Sequence, residues 1–181
     1  MLADRDRLMR LYEERVAGWD VDEGFRQQWS AWCQRLLAHG GELVVPPGVP
    51  EPDLDLLVAD GTLLALPINV ADLGGDCHAN VAKLWIDGEI AAVGTGYALS
   101  GGLWRQHSWG VTADGGIVET KTGCELYCGV TLPPGERTVQ FALNGFDGDV
   151  KARLREGGGR TGEIISVLRA SRQRRSAVGP R

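Results

Sequence analysis

Cys77, His107 and Glu119 are the residues whose types and order could together carry chemistry. Cys77 lies in the segment Gly74-Gly75-Asp76-Cys77-His78-Ala79-Asn80-Val81, in the first turn of a predicted helix. Unpaired backbone N–H groups and the helix dipole favour negative charge there. The thiol pKa is therefore expected to fall, which makes the thiolate the reacting form. The Cys77 N–H is also a natural donor to an oxyanion. The preceding glycines let a substrate backbone approach closely. Gly75, Asp76 and His78 flank the thiol and are the candidate substrate contacts, although His78 points about 100° around the helix from Cys77 and reads more readily as a surface or supporting residue.

His107 lies in Leu103-Trp104-Arg105-Gln106-His107-Ser108-Trp109-Gly110-Val111. Strand alternation puts Leu103, His107, Trp109 and Val111 on one mostly apolar face, with Arg105 sharing the parity. A buried, unprotonated imidazole is what a general base requires. Glu119 is the acid best placed to orient it. If residues 112–116 form a five-residue hairpin loop, Val111 pairs with Ile117, Trp109 faces Glu119, and His107 lies diagonally across on the same face. A one-residue slip would turn Glu119 to the other face. Asp114 reads as a turn residue at the loop tip, and Asn144 as a second polar candidate on a later strand. Trp104, Trp109 and Tyr97 are candidate pocket walls, and core packing accounts for each of them equally well.

Cys124 and Cys128 admit a different chemistry. Thiolates and imidazoles suit zinc, and Cys77, His78 and His107 could complete such a set. The Cys124–Cys128 spacing is wider than a Cys-x-x-Cys knuckle, however, and strand alternation can put both in the core. The favoured reading has no metal and no cofactor.

The elements that must position these residues follow from periodicity. Residues 1–39 read as two helices: Leu8, Leu11, Tyr12 and Val16 keep helical spacing, as do Phe25, Trp29, Trp32, Cys33, Leu36 and Leu37. Gly18 and the Asp20–Asp22 stretch separate them, and Gly40-Gly41 stops the second. Cys33 lies on the buried stripe and is expected to be inert. A proline-rich loop, VPPGVPEP, follows. The stretch Leu54 to Val70 fits a strand or a short helix equally. Asp76 can cap a helix running to about Ile86 and closed by Asp87-Gly88, with Val81, Leu84 and Trp85 on the face of Cys77. Strands are predicted from Ile90 to Leu99, Leu103 to Val111, Ile117 to Thr120, Tyr127 to Leu132 and Val139 to Asn144. The glycine-rich stretch 157–162 reads as a loop before a last helix. This is an α+β fold: N-terminal helices, then a nucleophile-bearing helix packed on an antiparallel sheet. One domain over 1–181 is expected, with a helical region to 45, the catalytic helix and sheet over 70–145, and a basic tail at 169–181.

Composition narrows the partners. At 43% hydrophobic and 24% charged residues, the 181-residue chain has enough apolar content for an ordinary soluble core. A formal charge of −5 leaves no global basic field for nucleic acid. The absence of a long apolar run argues against a membrane span, and the charged first residues lack an apolar signal core. Four cysteines in a chain of this size do not read as a disulfide framework, so a reducing, cytoplasmic setting is expected.

A cysteine at a helix start, then a histidine on a strand, then an acid on the next strand resembles the papain-like cysteine hydrolase superfamily. The chain order is similar to that of transglutaminases, arylamine N-acetyltransferases and protein N-terminal glutamine amidohydrolases. The run Cys77-His78-Ala79-Asn80-Val81 resembles the cysteine-helix start of the last two, where an Asn also follows within a few residues. The resemblance covers about residues 70–145. It implies Cys77 as nucleophile, His107 as base and acid, and Glu119 as orienter, on a papain-like fold. The acid departs from the pattern in being Glu rather than the commoner Asp. By analogy, the thiolate would attack an amide, ester or thioester carbonyl of a small molecule or peptide, form an acyl-enzyme, and release it to water or an amine as a hydrolase, amidase or acyltransferase. The competing readings are a non-enzymatic interaction module on the same fold and a Cys/His zinc protein.

Overall fold

The computed structural model describes residues 2–64 and 68–145. Among them are five helices and a seven-stranded sheet, a mixed α+β architecture. The expected 157–162 loop, the last helix and the basic tail at 169–181 lie outside the described residues. The strands hydrogen-bond in the order β2 (Thr62–Leu63), β7 (Leu126–Thr131), β4 (Ala92–Ser100), β5 (Leu103–Val111), β6 (Ile117–Glu119), β3 (Ile68–Val70), with β1 (Leu43–Val44) beside β5. The chain divides into two compact units, and β4 (Ala92–Ser100) and β5 supply residues to both. No helix among the described residues is long and apolar enough to cross a membrane.

The first unit holds α1 (Leu2–Ala17), α2 (Glu23–Ala38), β1, α3 (Leu54–Asp60), β2 (Thr62–Leu63), residues 96–106 and most of β7 (Leu126–Thr131). The two N-terminal helices form as their periodicity requires. Asp22 starts α2 by accepting from the Phe25 N–H at 2.7 Å. The stripe of α2 supplies Trp29, Trp32 and Leu36 to a core shared with Leu54, Leu57, Tyr97 and Trp104. Burying a leucine such as Leu36 or Leu57 stabilises by roughly 1.5–3 kcal/mol. The stripe of α1 is only partly used: Leu8 and Leu11 remain exposed. Gly101 and Gly102, both at positive φ, make the two-residue turn from β4 to β5.

The second unit holds β3 (Ile68–Val70), α4 (Cys77–Asp87), the start of β4, the end of β5, β6 (Ile117–Glu119) and α5 (Glu136–Asn144). Both ends of α4 are closed by local chemistry. The Asp76 carboxylate accepts from the Ala79 N–H at 2.8 Å, and Gly88 takes the left-handed conformation that ends the helix. Val81, Leu84 and Trp85 are buried on it, as its periodicity requires. The 112–116 hairpin closes with Thr112 N–H donating to Gly116 O at 2.9 Å, and Val111 pairs with Ile117 in the expected register.

Two expectations are corrected. Residues from Val139 to Asn144 are not a strand but the body of α5. Val139, Phe141 and Leu143 alternate as a strand would, but Thr138, Val139, Ala142 and Leu143 are the buried set, which is a helical spacing. The helix lies close to α4: a side chain on Gly145 would stand 2.6 Å from Ala82 Cβ. The sheet is also not wholly antiparallel. β5–β6 and β2–β7 are antiparallel, whereas β3–β6 and β1–β5 are parallel.

Candidate active site

The second unit brings Cys77, His107 and Glu119 together. Cys77 opens α4, His107 stands on β5, and Glu119 ends β6 after the five-residue turn. Glu119 Oε2 lies 2.8 Å from His107 Nε2. Its other oxygen accepts from the Lys121 N–H at 2.7 Å, so the carboxylate is fixed at both ends. With Nε2 engaged by Glu119, Nδ1 is the nitrogen left for the Cys77 thiol, which lies near enough to His107 for each to shift the other's protonation. Glu119 is fully buried, and Cys77 and His107 keep only 8% and 7% of their surface.

The electrostatics follow from this packing. Burial pushes the Cys77 thiol up, but hydrogen bonds from His107 and His78, together with their charges, more than reverse that and hold it at about 5. Burial likewise disfavours the His107 imidazolium, and its hydrogen bonds to Cys77 and Glu119, with their charges, raise it to about 9. Between these values the pair is a thiolate facing an imidazolium. The dipole and first-turn N–H groups of α4 act in the same direction.

β3 and the lead-in loop tie the site to the sheet. Val70 pairs with Glu119, and the Ala71 N–H donates to Glu119 O at 2.7 Å. The chain then turns through Gly74 and Gly75 at φ values of 64° and 62°. That left-handed pair is a conformation that other residues resist. Asn80 Nδ2 donates to Gly74 O at 2.6 Å and pins the loop against α4. Asn80 was legible only as part of the run following the cysteine, and its capping of the glycine loop was not.

His78 belongs to the site more closely than its place on the helix suggests. Its ring lies near enough to the Cys77 thiol for each to shift the other's protonation. Its Nδ1 lies 3.1 Å from the hydroxyl of Ser108, a fully buried residue that directly follows His107. Burial lowers its proton affinity, but the Cys77 hydrogen bond and the charges of Cys77 and Asp76 raise it above the usual range against the opposing charge of His107. Ser108 was not singled out from the sequence, where a serine between a histidine and a tryptophan carries no signal.

The remaining sequence candidates separate clearly. Gly75 and Asp76 are exposed beside Cys77, and Asp76 is the α4 cap. Trp104 is not a pocket wall: it is fully buried in the first unit, and its Nε1 donates to Gly40 O at 2.8 Å. Trp109 is 1% exposed, its indole occupying the space a side chain on Gly94 would need, and it lies tilted 6.5 Å from the His107 ring. It supports the imidazole from within and has no surface for a substrate. Tyr97 is also fully buried, donating to Glu51 Oε2 at 3.0 Å. Asn144 is exposed at the end of α5, and the nitrogen it was a candidate to orient is held by Glu119. Cys33 and Cys128 are pushed up by burial to about 12 and about 11, far from the thiolate that a metal or a substrate needs.

A scan against protein-family models and searches of curated proteins and of solved structures return no match.

Proposed function

We propose that the chain is a thiol-dependent hydrolase or acyltransferase acting on an amide, ester or thioester carbonyl. The observation that carries the reading is His107, which is held at 2.8 Å by the buried Glu119 carboxylate on one side and is electrostatically coupled to the Cys77 thiol on the other. That is the arrangement of an activated nucleophile, its base and an orienting acid. The order of the three along the chain supports a relationship to the papain-like hydrolases, with Glu in the place of the acid. The thiolate attacks the carbonyl carbon, and the carbonyl oxygen gathers charge beside the first-turn N–H groups of α4. As the intermediate collapses, the bond to the leaving group breaks and His107 gives that group its Nδ1 proton. The neutral imidazole then removes a proton from water or an amine, which attacks the thioester and regenerates the thiolate.

The zinc reading fits less well. His107 Nε2 and Glu119 Oε2 are spent on each other.

The test has two parts. A limiting amount of iodoacetamide at neutral pH should modify Cys77 ahead of Cys33 and Cys128, as read by peptide mapping. An activated ester, p-nitrophenyl acetate, should give an initial burst and an acetylated protein in intact-mass spectra, with the acetyl group on Cys77 and absent from Cys77→Ala. Labelling of Cys77 no faster than that of Cys33 and Cys128 refutes the reading and leaves an interaction module on this fold.

A further inference from the structure

We propose that His78, locked in place by Ser108, is a second hydrogen-bond donor to the Cys77 sulfur, so that the nucleophile works between two imidazoles rather than one. This rests on the thiol-enzyme reading above. The geometry is that of a ring with one nitrogen assigned. Ser108 Oγ takes Nδ1 at 3.1 Å, and Phe141 of α5 packs edge-on at 6.0 Å and 62°. With Nδ1 spent on a buried hydroxyl, Nε2 is the nitrogen left for the neighbouring thiol. The two contacts therefore repeat each other: a β5 residue and an α4 residue pair at His107–Cys77, and the next residue of each pairs at Ser108–His78.

The charged surroundings favour a donor there. On α4 itself the ring meets the Cys77 thiolate and the exposed Asp76 carboxylate. From β5 it meets the His107 imidazolium, which opposes it, and the neutral Ser108. Behind His107 stands the Glu119 carboxylate of β6, and α5 offers the uncharged Phe141. The thiolate and two carboxylates thus face two imidazoles, so a second cation is balanced.

The two histidines then divide the work. His107 is the one that exchanges protons. His78 keeps its proton throughout. It stabilises the thiolate before attack, releases its hold when the carbon–sulfur bond forms and the sulfur becomes neutral, and restores it when that bond breaks in deacylation. Its contribution falls on the sulfur as nucleophile and as leaving group, and no proton changes hands through it. This makes the site less dependent on Glu119 and His107 for its thiolate than a two-residue pair would be.

The experiment is the pH dependence of Cys77 alkylation, followed by mass spectrometry of its peptide, in the full chain. Wild type is compared with His78→Gln, His107→Gln, the double variant and Ser108→Ala. We expect His78→Gln to raise the midpoint by about one unit or more, a tenfold loss of thiolate on the acid side. His107→Gln should raise it separately, and the double variant should approach the ordinary thiol range. Ser108→Ala should shift it less and in the same direction. A His78 that only packs would alter the melting temperature and leave the midpoint where it is. If His78→Gln and Ser108→Ala both leave the midpoint in place while His107→Gln raises it, this inference is overturned and the thiol-enzyme reading stands. If even the double variant does not move it, the reading itself falls. Should His78→Gln not fold, Ser108→Ala decides, because it keeps the imidazole and removes only its partner.

Discussion

Glu119→Gln isolates the orienting acid. The substitution keeps the size of the side chain and an acceptor for the Lys121 N–H, but it removes the negative charge 2.8 Å from His107 Nε2. A hydrogen bond to a charged group is worth roughly 1.5–3 kcal/mol, and one pKa unit corresponds to about 1.36 kcal/mol. The His107 imidazolium, now held at about 9, should therefore lose its proton roughly 1–2 units lower. The acid limb of the site should not follow. Below neutrality His107 is protonated with or without Glu119, so the thiol still faces the same imidazolium and its value of about 5 should stay or fall slightly. The assay is an NMR titration of the His107 ring alongside the pH series of Cys77 alkylation. A drop in the histidine midpoint with an unmoved thiol midpoint is the expected pair of results. A histidine midpoint that stays in place refutes the orienting role. A thiol midpoint that rises as far as the histidine midpoint falls refutes the assignment of the two limbs.

Two further outcomes test the frame around the site. Burial raises the Glu51 carboxyl, against the hydrogen bonds from Tyr97 and Gln106 that lower it, so the folded chain binds its proton more tightly than the unfolded chain. Its contribution to stability is therefore complete below the ordinary carboxyl range and lost as pH rises through the folded value. Urea unfolding at a series of pH values should show that loss, and Glu51→Gln should flatten it; an unchanged slope in the variant refutes the assignment. Asp76→Ala removes the α4 cap bond to Ala79 and should lower stability by roughly 0.5–2 kcal/mol. It also takes away a charge that favours protonated His78, so the ring should titrate lower by NMR; an unaltered titration would show that the carboxylate acts through the helix alone.

What could be read in advance was whatever neighbouring residues decide among themselves. Asp76 and Gly88 close α4 through contacts a few residues long, so its bounds and the thiol at its start were legible. The five-residue loop between Val111 and Ile117 sets a strand register by its length alone, and that register carries Glu119 to His107. The misread elements share a different property. Val139 to Asn144 alternates like a strand over too few residues to tell it from a helix, and only packing beside α4 chose. Trp104 and Trp109 have the composition of a pocket wall, and burial made one a core residue of the first unit and the other a support behind the imidazole.

Chain order and local capping were thus enough to single out Cys77, His107 and Glu119 as neighbours, because each is placed by a helix end or a hairpin. Sequence alone did not bring Ser108 to His78 or lay β3 parallel to β6. Those contacts join residues with no local relation, and only the folded backbone, by burying them against one another, makes them neighbours.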